Sequence, residues 1–252
     1  MIWRAKLLAR AVLALIVGLP FLGADAPATR QAERTDQGVP RPQVKGWMET
    51  HNKYVELAKK GNIDLYFVGD SITNNWHSRG KEVWAKEFAG WNAGNFGIGG
   101  DHTQHVLWRL DNGELDGVRP KVFVVMIGTN NHGDSVPDIV AGVTAVVEKL
   151  KAKEPEAKIL LLGIFPRGAS ADDPLRVKLG EVNKQIASLE DGKRVKYMDI
   201  GQVFLEADGT LTKQMAPDLL HPAAEGYQRW ADAIKPTLME WLGPPKTAAT
   251  TP

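Results

Sequence analysis

The chain has no cysteine. Disulfides, thiol catalysis and thiolate metal ligation are therefore excluded together. An excess of one charge is missing too: 31 Lys and Arg face 30 Asp and Glu. A nucleic-acid partner needs a basic face, and an acidic or phosphorylated polymer needs a cationic field. Neither is indicated, because no block of like charge stands out beyond the extreme N-terminus. There is no internal repeat, no low-complexity segment and no His-Glu-x-x-His zinc motif. Apolar content is ordinary, so a chain of 252 residues can bury the core of one α/β domain.

The long apolar run that does occur is at the start. Arg4, Lys6 and Arg10 precede Ala11 to Leu22, and small residues follow at Gly23, Ala24 and Ala26. This is the layout of a secretory signal peptide, with a cut expected after Ala24. The run is short for a membrane span and Pro20 interrupts it. An uncleaved anchor is the alternative, and either way the rest of the chain faces outside the cytoplasm. Residues 25–44, rich in Pro, Gly, Thr, Gln and charge, read as a linker. Residues 45–242 form the domain, and 243–252 read as a disordered tail.

Within the domain, apolar periodicity predicts helices over 45–60, 82–88, 103–110, 136–152, 175–189 and 223–242. Apolar, β-branched runs predict strands over 63–68, 90–96, 121–127, 157–164 and 195–200. Strands that alternate with helices and are apolar throughout call for a parallel sheet covered on both faces. The expected fold class is α/β: a three-layer α/β/α sandwich with a flavodoxin-like, five-stranded parallel sheet.

Four short stations lie after predicted strands or before the last helix. Gly69-Asp70-Ser71 follows the first strand and places a serine where ligands bind in open α/β sheets. Taken alone, Ser71 suits a helix cap at least as well. Asn95-Phe96-Gly97-Ile98-Gly99-Gly100-Asp101 follows the second strand. Its glycines let the backbone approach a ligand, but their spacing does not fit a dinucleotide fingerprint. Gly128-Thr129-Asn130-Asn131 follows the third strand, and an Asn amide is a neutral donor suited to an oxyanion. Asp218-Leu219-Leu220-His221-Pro222 precedes the last helix. A carboxylate three residues before an imidazole can hold its Nδ1 and leave Nε2 free as a base.

Together, in this order, the four stations resemble the blocks of the SGNH (GDSL) hydrolase family. The second station, with His105-Val106-Leu107-Trp108-Arg109-Leu110 and Gly113-Glu114-Leu115, is especially similar to the catalytic subunits of intracellular platelet-activating-factor acetylhydrolases. Gly128-Thr129-Asn130-Asn131-His132 and Pro166-Arg167-Gly168 extend the likeness. The N-terminal leader departs from those subunits. So does Asn74-Asn75-Trp76, which is more similar to bacterial carbohydrate-ester hydrolases of the same family. The resemblance implies that Ser71 is the nucleophile, with Asp218 and His221 completing a triad. It also implies that Gly100, Asn130 and the Ser71 backbone N–H form the oxyanion hole. No metal and no cofactor is then needed.

Rival chemistries are weaker in the sequence. His102 and His105, and His132 and Asp134, are close enough to suggest a zinc site, but no complete ligand motif accompanies them. A non-catalytic glycan-binding module would not need Ser71, Asp218 and His221 at once. Ile72 and Leu220 flank the nucleophile and base, and bulky side chains there would favour a short acyl chain. Trp76, Trp84 and Trp108 are placed to stack on sugar rings, although tryptophans at such spacings often belong to the core. The expected substrate is an acetylated carbohydrate, with a lysophospholipid or other lipid ester as the alternative.

Overall fold

The computed structural model describes residues 33–246. The expected leader, residues 25–32 of the expected linker, and residues 247–252 of the tail lie outside the described residues. Among the described residues, five strands form one parallel sheet in the order β2-β1-β3-β4-β5. They are β1 Leu65–Gly69, β2 Ala93–Gly97, β3 Val122–Met126, β4 Lys158–Leu162 and β5 Val195–Met198. Among the described residues, seven α-helices accompany them: α1 Trp47–Lys59, α2 Ser71–Asn74, α3 Lys81–Glu87, α4 Thr103–Asp111, α5 Val136–Lys153, α6 Pro174–Ile186 and α7 Ala224–Leu242.

Every residue of β1 and β3 is buried, because helices cover both faces of the sheet. Alternation along the strands sorts their side chains into two cores. Tyr66, Val68, Phe123, Val125, Ile159 and Leu161 pack with residues of α1, α4, α5 and α6. Leu65, Phe67, Val122, Val124, Leu160 and Leu162 pack with Trp76, Phe88 and the Tyr227, Trp230, Ile234 and Leu238 stripe of α7. Aromatic edges dominate the second core: Trp76 meets Tyr227 with ring centroids 4.5 Å apart and Trp230 at 5.0 Å.

The chain passes from β1 outward to β2, then back across to β3 on the other side. This reversal makes the carboxyl end of β1 a topological switch point, where α/β sheets open a crevice. Ser71 follows β1, the glycine loop follows β2, and Asn130 follows β3. The packing there requires glycine. A side chain at Gly69 would collide with Thr73 and the Met126 carbonyl, and one at Gly97 with the backbone of α2. The one-turn helix α2 therefore sits directly on the ends of β1 and β2.

Residues 33–44, expected as a linker, are held on the domain. The Thr35 hydroxyl donates to the Asp138 carbonyl at 2.6 Å, and the Thr103 hydroxyl donates to the Thr35 carbonyl at 2.8 Å. Val39 N–H donates to the Gln104 carbonyl at 3.0 Å. At the other end, Lys246 N–H donates to the Gly90 carbonyl and the Trp91 indole N–H to the Gly243 carbonyl, each at 2.9 Å. Among the described residues, no helix is long and apolar enough to cross a membrane.

Candidate active site

Ser71 is the first residue of α2, not its cap. Asp70 is the cap, its Oδ1 accepting from Ile72 N–H at 2.9 Å. Ser71 is thereby left half-buried at the sheet edge with its hydroxyl free for another partner. That partner is His221: Oγ and Nε2 are 2.8 Å apart. His221 Nδ1 lies 2.8 Å from Asp218 Oδ2. The other carboxylate oxygen accepts from His221 N–H at 2.8 Å and Leu220 N–H at 3.2 Å. Both oxygens are committed, which fixes the carboxylate and with it the imidazole. The Asp218 carboxyl sits below its ordinary range: partial burial pushes it up, and the bonds from the His221 backbone and ring outweigh that. Acting in sequence, these groups can pass a proton from Ser71 Oγ to His221 while Asp218 stabilises the imidazolium.

The loop that carries Asp218 and His221 is braced by Gly168 and Arg79. Leu219 adopts a left-handed conformation, φ 57°, costly for a residue with a side chain. Its carbonyl accepts from Gly168 N–H at 2.9 Å. Arg79 donates to the His221 carbonyl at 2.9 Å and lies 3.8 Å from Asp218 Oδ2.

Beside Ser71 runs the glycine loop. A Cβ at Gly99 would lie 4.0 Å from that of Ser71, and Gly100 has φ 74°, a conformation that favours glycine. Asn130, half-buried after β3, donates one Nδ2 proton to the Asp101 carbonyl at 2.9 Å. The second Nδ2 proton remains for another acceptor. The neighbouring Asn131 is fully buried and structural: it accepts from Thr103 N–H and donates to Gln104 and Asp134.

Three expected pocket residues are placed elsewhere or only partly at the site. Ile72 and Trp76 are buried in the α7-side core, at 0% and 1% exposure, so neither lines a substrate surface. The helical turn that begins at Ser71 explains this. With the serine facing the crevice, Ile72 turns inward, and its carbonyl accepts from the Tyr227 hydroxyl at 2.6 Å. Leu220 is half-buried against the same core. Among the described residues, no group of three or more acidic or histidine side chains could hold a metal ion. His105 Nδ1 instead accepts from His102 N–H at 2.9 Å, closing a capping box on α4.

Beneath the glycine loop lies a charge network. Asp101, Arg109 and Glu114 are all buried. Arg109 Nε donates to Asp101 Oδ2 at 2.8 Å, and its NH1 reaches Glu114 and the Phe96 carbonyl. Its NH2 donates to the Gly69 carbonyl at 3.4 Å. Burial opposes the guanidinium charge, but Glu114 and Asp101 outweigh it and raise the Arg109 pKa further. Glu114 also holds His51 Nδ1 at 2.8 Å. An arginine on an apolar helix face, between Leu107 and Leu110, is the sequence signal that points to this pairing.

The geometry has counterparts. Residues 67–229 match the GDSL-like Lipase/Acylhydrolase family. The human platelet-activating factor acetylhydrolase IB subunit alpha1 is 39% identical over 197 residues, spanning 78% of this chain and 84% of that protein. The rat alpha2 subunit is 39% identical over 197 residues, spanning 78% and 85%. Among solved structures, a GDSL-like lipase from Bacteroides thetaiotaomicron superposes with a TM-score of 0.60 at 19% identity, covering 75% of this chain and 97% of its own. An acetylxylan esterase from Geobacillus stearothermophilus gives 0.57 at 18% identity, covering 71% and 93%. These two likenesses show the shared fold. With the family matched across most of the domain, the chain belongs to the GDSL-like lipase/acylhydrolase family and is a carboxylic ester hydrolase.

Proposed function

We propose that the protein is an exported serine esterase that removes short acyl groups, acetyl foremost, from a carbohydrate. The observation that carries the chemistry is the unbroken chain from Ser71 Oγ through His221 to Asp218, with both contacts at 2.8 Å. His221 takes the Ser71 proton as Oγ attacks the ester carbonyl. The backbone N–H groups of Ser71 and Gly100 and the Asn130 amide hold the oxyanion. His221 then protonates the leaving alcohol, and the acyl-enzyme forms. Water, activated by the same imidazole, releases the acid. No metal or cofactor enters these steps.

The residues that follow the serine and those beside it support a short acyl group on a polar carrier. Ile72 and Trp76 are turned into the core, so the first two apolar residues after the serine in sequence provide no acyl channel. Gly99 and His221 lie beside the serine, and Arg79 donates to the His221 carbonyl; these polar groups suit a polar carrier. Export is supported by the basic, apolar and small-residue layout of residues 1–24. A lipid ester is the second reading, favoured by the 39% identity to proteins named for platelet-activating factor. The two readings differ in the alcohol, and also in the acyl chain where the lipid is a lysophospholipid.

The test is a purified-enzyme screen. p-Nitrophenyl esters of rising chain length are compared with acetylated xylan, acetylated amino sugars and a 2-acetyl ether phospholipid. The expected result is fastest turnover on acetate, acetate release from the glycans, and loss of all hydrolysis in Ser71→Ala with the fold retained. Preference for long acyl chains, or acetate release from the phospholipid alone, replaces the carbohydrate reading. Near-normal activity in Ser71→Ala removes the serine from the chemistry.

A further inference from the structure

Arg41 lies on the segment that precedes α1, thirty residues before Ser71 in the chain. Its NH1 donates to the Gly99 carbonyl at 3.3 Å and lies 3.4 Å from Asp101 Oδ1. The guanidinium occupies the space beside Gly100: a Cβ there would be 3.2 Å from NH1 and 3.3 Å from NH2. The side chain is only 16% exposed. We propose that Arg41 is a positioning residue for the oxyanion hole, holding the Gly99-Gly100-Asp101 loop so that the Gly100 N–H and the Asn130 amide converge on one point.

Asp101 is the junction through which this works. Its carboxylate is held by Trp47 Nε1 at 2.7 Å and Arg109 Nε at 2.8 Å, with Arg41 on the outer side. Its backbone carbonyl accepts from Asn130 Nδ2 at 2.9 Å. One residue therefore connects Arg41 to both oxyanion donors: Gly100 by a peptide bond, Asn130 by a hydrogen bond. Trp47 and Arg109 fix the inner side of the loop, and Arg41 is the tie on the solvent side. The segment that supplies it is itself secured, by Thr35, by Val39 and by Gly38, where a Cβ would press on the Trp108 backbone at 3.1 Å. A guanidinium beside the loop also contributes positive potential where negative charge develops. Its field is felt locally: burial first, and then the Arg41 charge, push the His105 imidazole down to about 2.

The inference rests on the serine-esterase reading, and the test separates the two. Arg41→Met keeps the bulk and removes charge and donors; Arg41→Lys keeps the charge. Steady-state hydrolysis of p-nitrophenyl acetate is measured per active site, titrated with diethyl p-nitrophenyl phosphate, together with Tm. Acting through donors worth about a hundred- to a thousandfold each, Arg41→Met is expected to lower kcat roughly tenfold with KM little changed. Arg41→Lys is expected to recover most of the loss. In the double variant with Asn130→Ala, the two losses should combine to less than their product, because Arg41 acts partly through Asn130. Full kcat in Arg41→Met, a fall in Tm without a fall in kcat per titrated site, or losses that multiply would each overturn the role. Absence of turnover in the wild type overturns the esterase reading, and this inference with it.

Discussion

Replacing Asp70 by Asn should remove a specific loss of stability that the protein suffers as pH rises. Asp70 is fully buried. Its Oδ1 caps α2, while Oδ2 has no hydrogen-bond partner among the described residues. Burial pushes its pKa up to about 7; the Ile72 N–H opposes this, and the nearby Asp101 adds to it. In the unfolded chain the same carboxyl titrates near ~3.9. Between about pH 4 and pH 7 the native state therefore binds more proton than the unfolded state, and stability falls as pH rises through that window. The effect is absent below it and complete above it. A shift of roughly three pKa units corresponds to about 4 kcal/mol at ~1.4 kcal/mol per unit. For a chain of this size each kcal/mol moves Tm by about 2–4 °C.

Asn keeps the Oδ1 acceptor for Ile72 and cannot ionise. Thermal and urea unfolding of both proteins from pH 4 to pH 8 isolates the Asp70 contribution as the difference between them. Carboxylates whose pKa values are lowered, such as Glu87 at about 2 through its bond to Lys235, titrate alike in both and cancel. Relative to Asp70→Asn, the wild type should lose stability steadily from pH 4 to 7 and then level off. Parallel curves for the two proteins, or a wild type that gains on the variant over this range, would refute the assignment of a raised pKa to Asp70.

Other substitutions follow from the same geometry. Asn130→Ala should lower kcat by about a hundred- to a thousandfold at nearly constant KM and Tm, because a donor to the oxyanion acts on the transition state; unchanged kcat in a folded variant would refute that role. Asn131→Ala, one position along, should instead leave Thr103 N–H buried without its acceptor and cost about 1–3 kcal/mol of stability with turnover per folded molecule retained. Trp76→Ala should destabilise the protein by roughly 3–5 kcal/mol and leave KM for acetylated glycans unchanged in the folded fraction; a selective rise in KM would return Trp76 to the substrate surface.

Strand positions were legible because fully buried strands announce themselves as apolar, β-branched runs. The predicted 121–127 and 195–200 contain β3 and β5. The last helix was legible despite Pro236, which α7 accommodates within its 19 residues. The sequence points to Ser71, Asp218 and His221 as one site only through the family resemblance, since each motif alone also suits a cap or turn; the structure brings the three together. Side-chain direction was not readable. Whether Ile72 and Trp76 face substrate or core depends on the phase of a single helical turn, and the Tyr227 contact that pins that turn comes from 155 residues away. Pairings of buried charge are equally hidden: His51 and Glu114 meet across 63 residues. The composition of residues 33–44 reads as a linker because polar side chains that bond backbone, like Thr35, look the same as those that bond water.

The buried charges beneath the site are expensive, and their placement suggests what the expense secures. Removing an Arg from water costs several kcal/mol, and a hydrophobic substitute for a buried ion pair is often no less stable. Arg109 is nevertheless 1% exposed and makes directional bonds that an apolar residue cannot make. It donates to two strand-end carbonyls, Gly69 and Phe96, as well as to the Asp101 and Glu114 carboxylates. Gly69 is two residues before the serine, and Asp101 adjoins Gly100 and receives Asn130. A single rigid, planar cation thus ties the strand that leads to Ser71, the proposed nucleophile, to the loop that faces it. Oxyanion stabilisation depends on donors already in place when charge develops, and a misplacement of 1 Å can cost a hundredfold. An apolar core would pack these elements as tightly but would leave the loop free to slide along β2. Directional bonds from a buried guanidinium fix the register, so stability given up to desolvation is returned as preorganisation of the site.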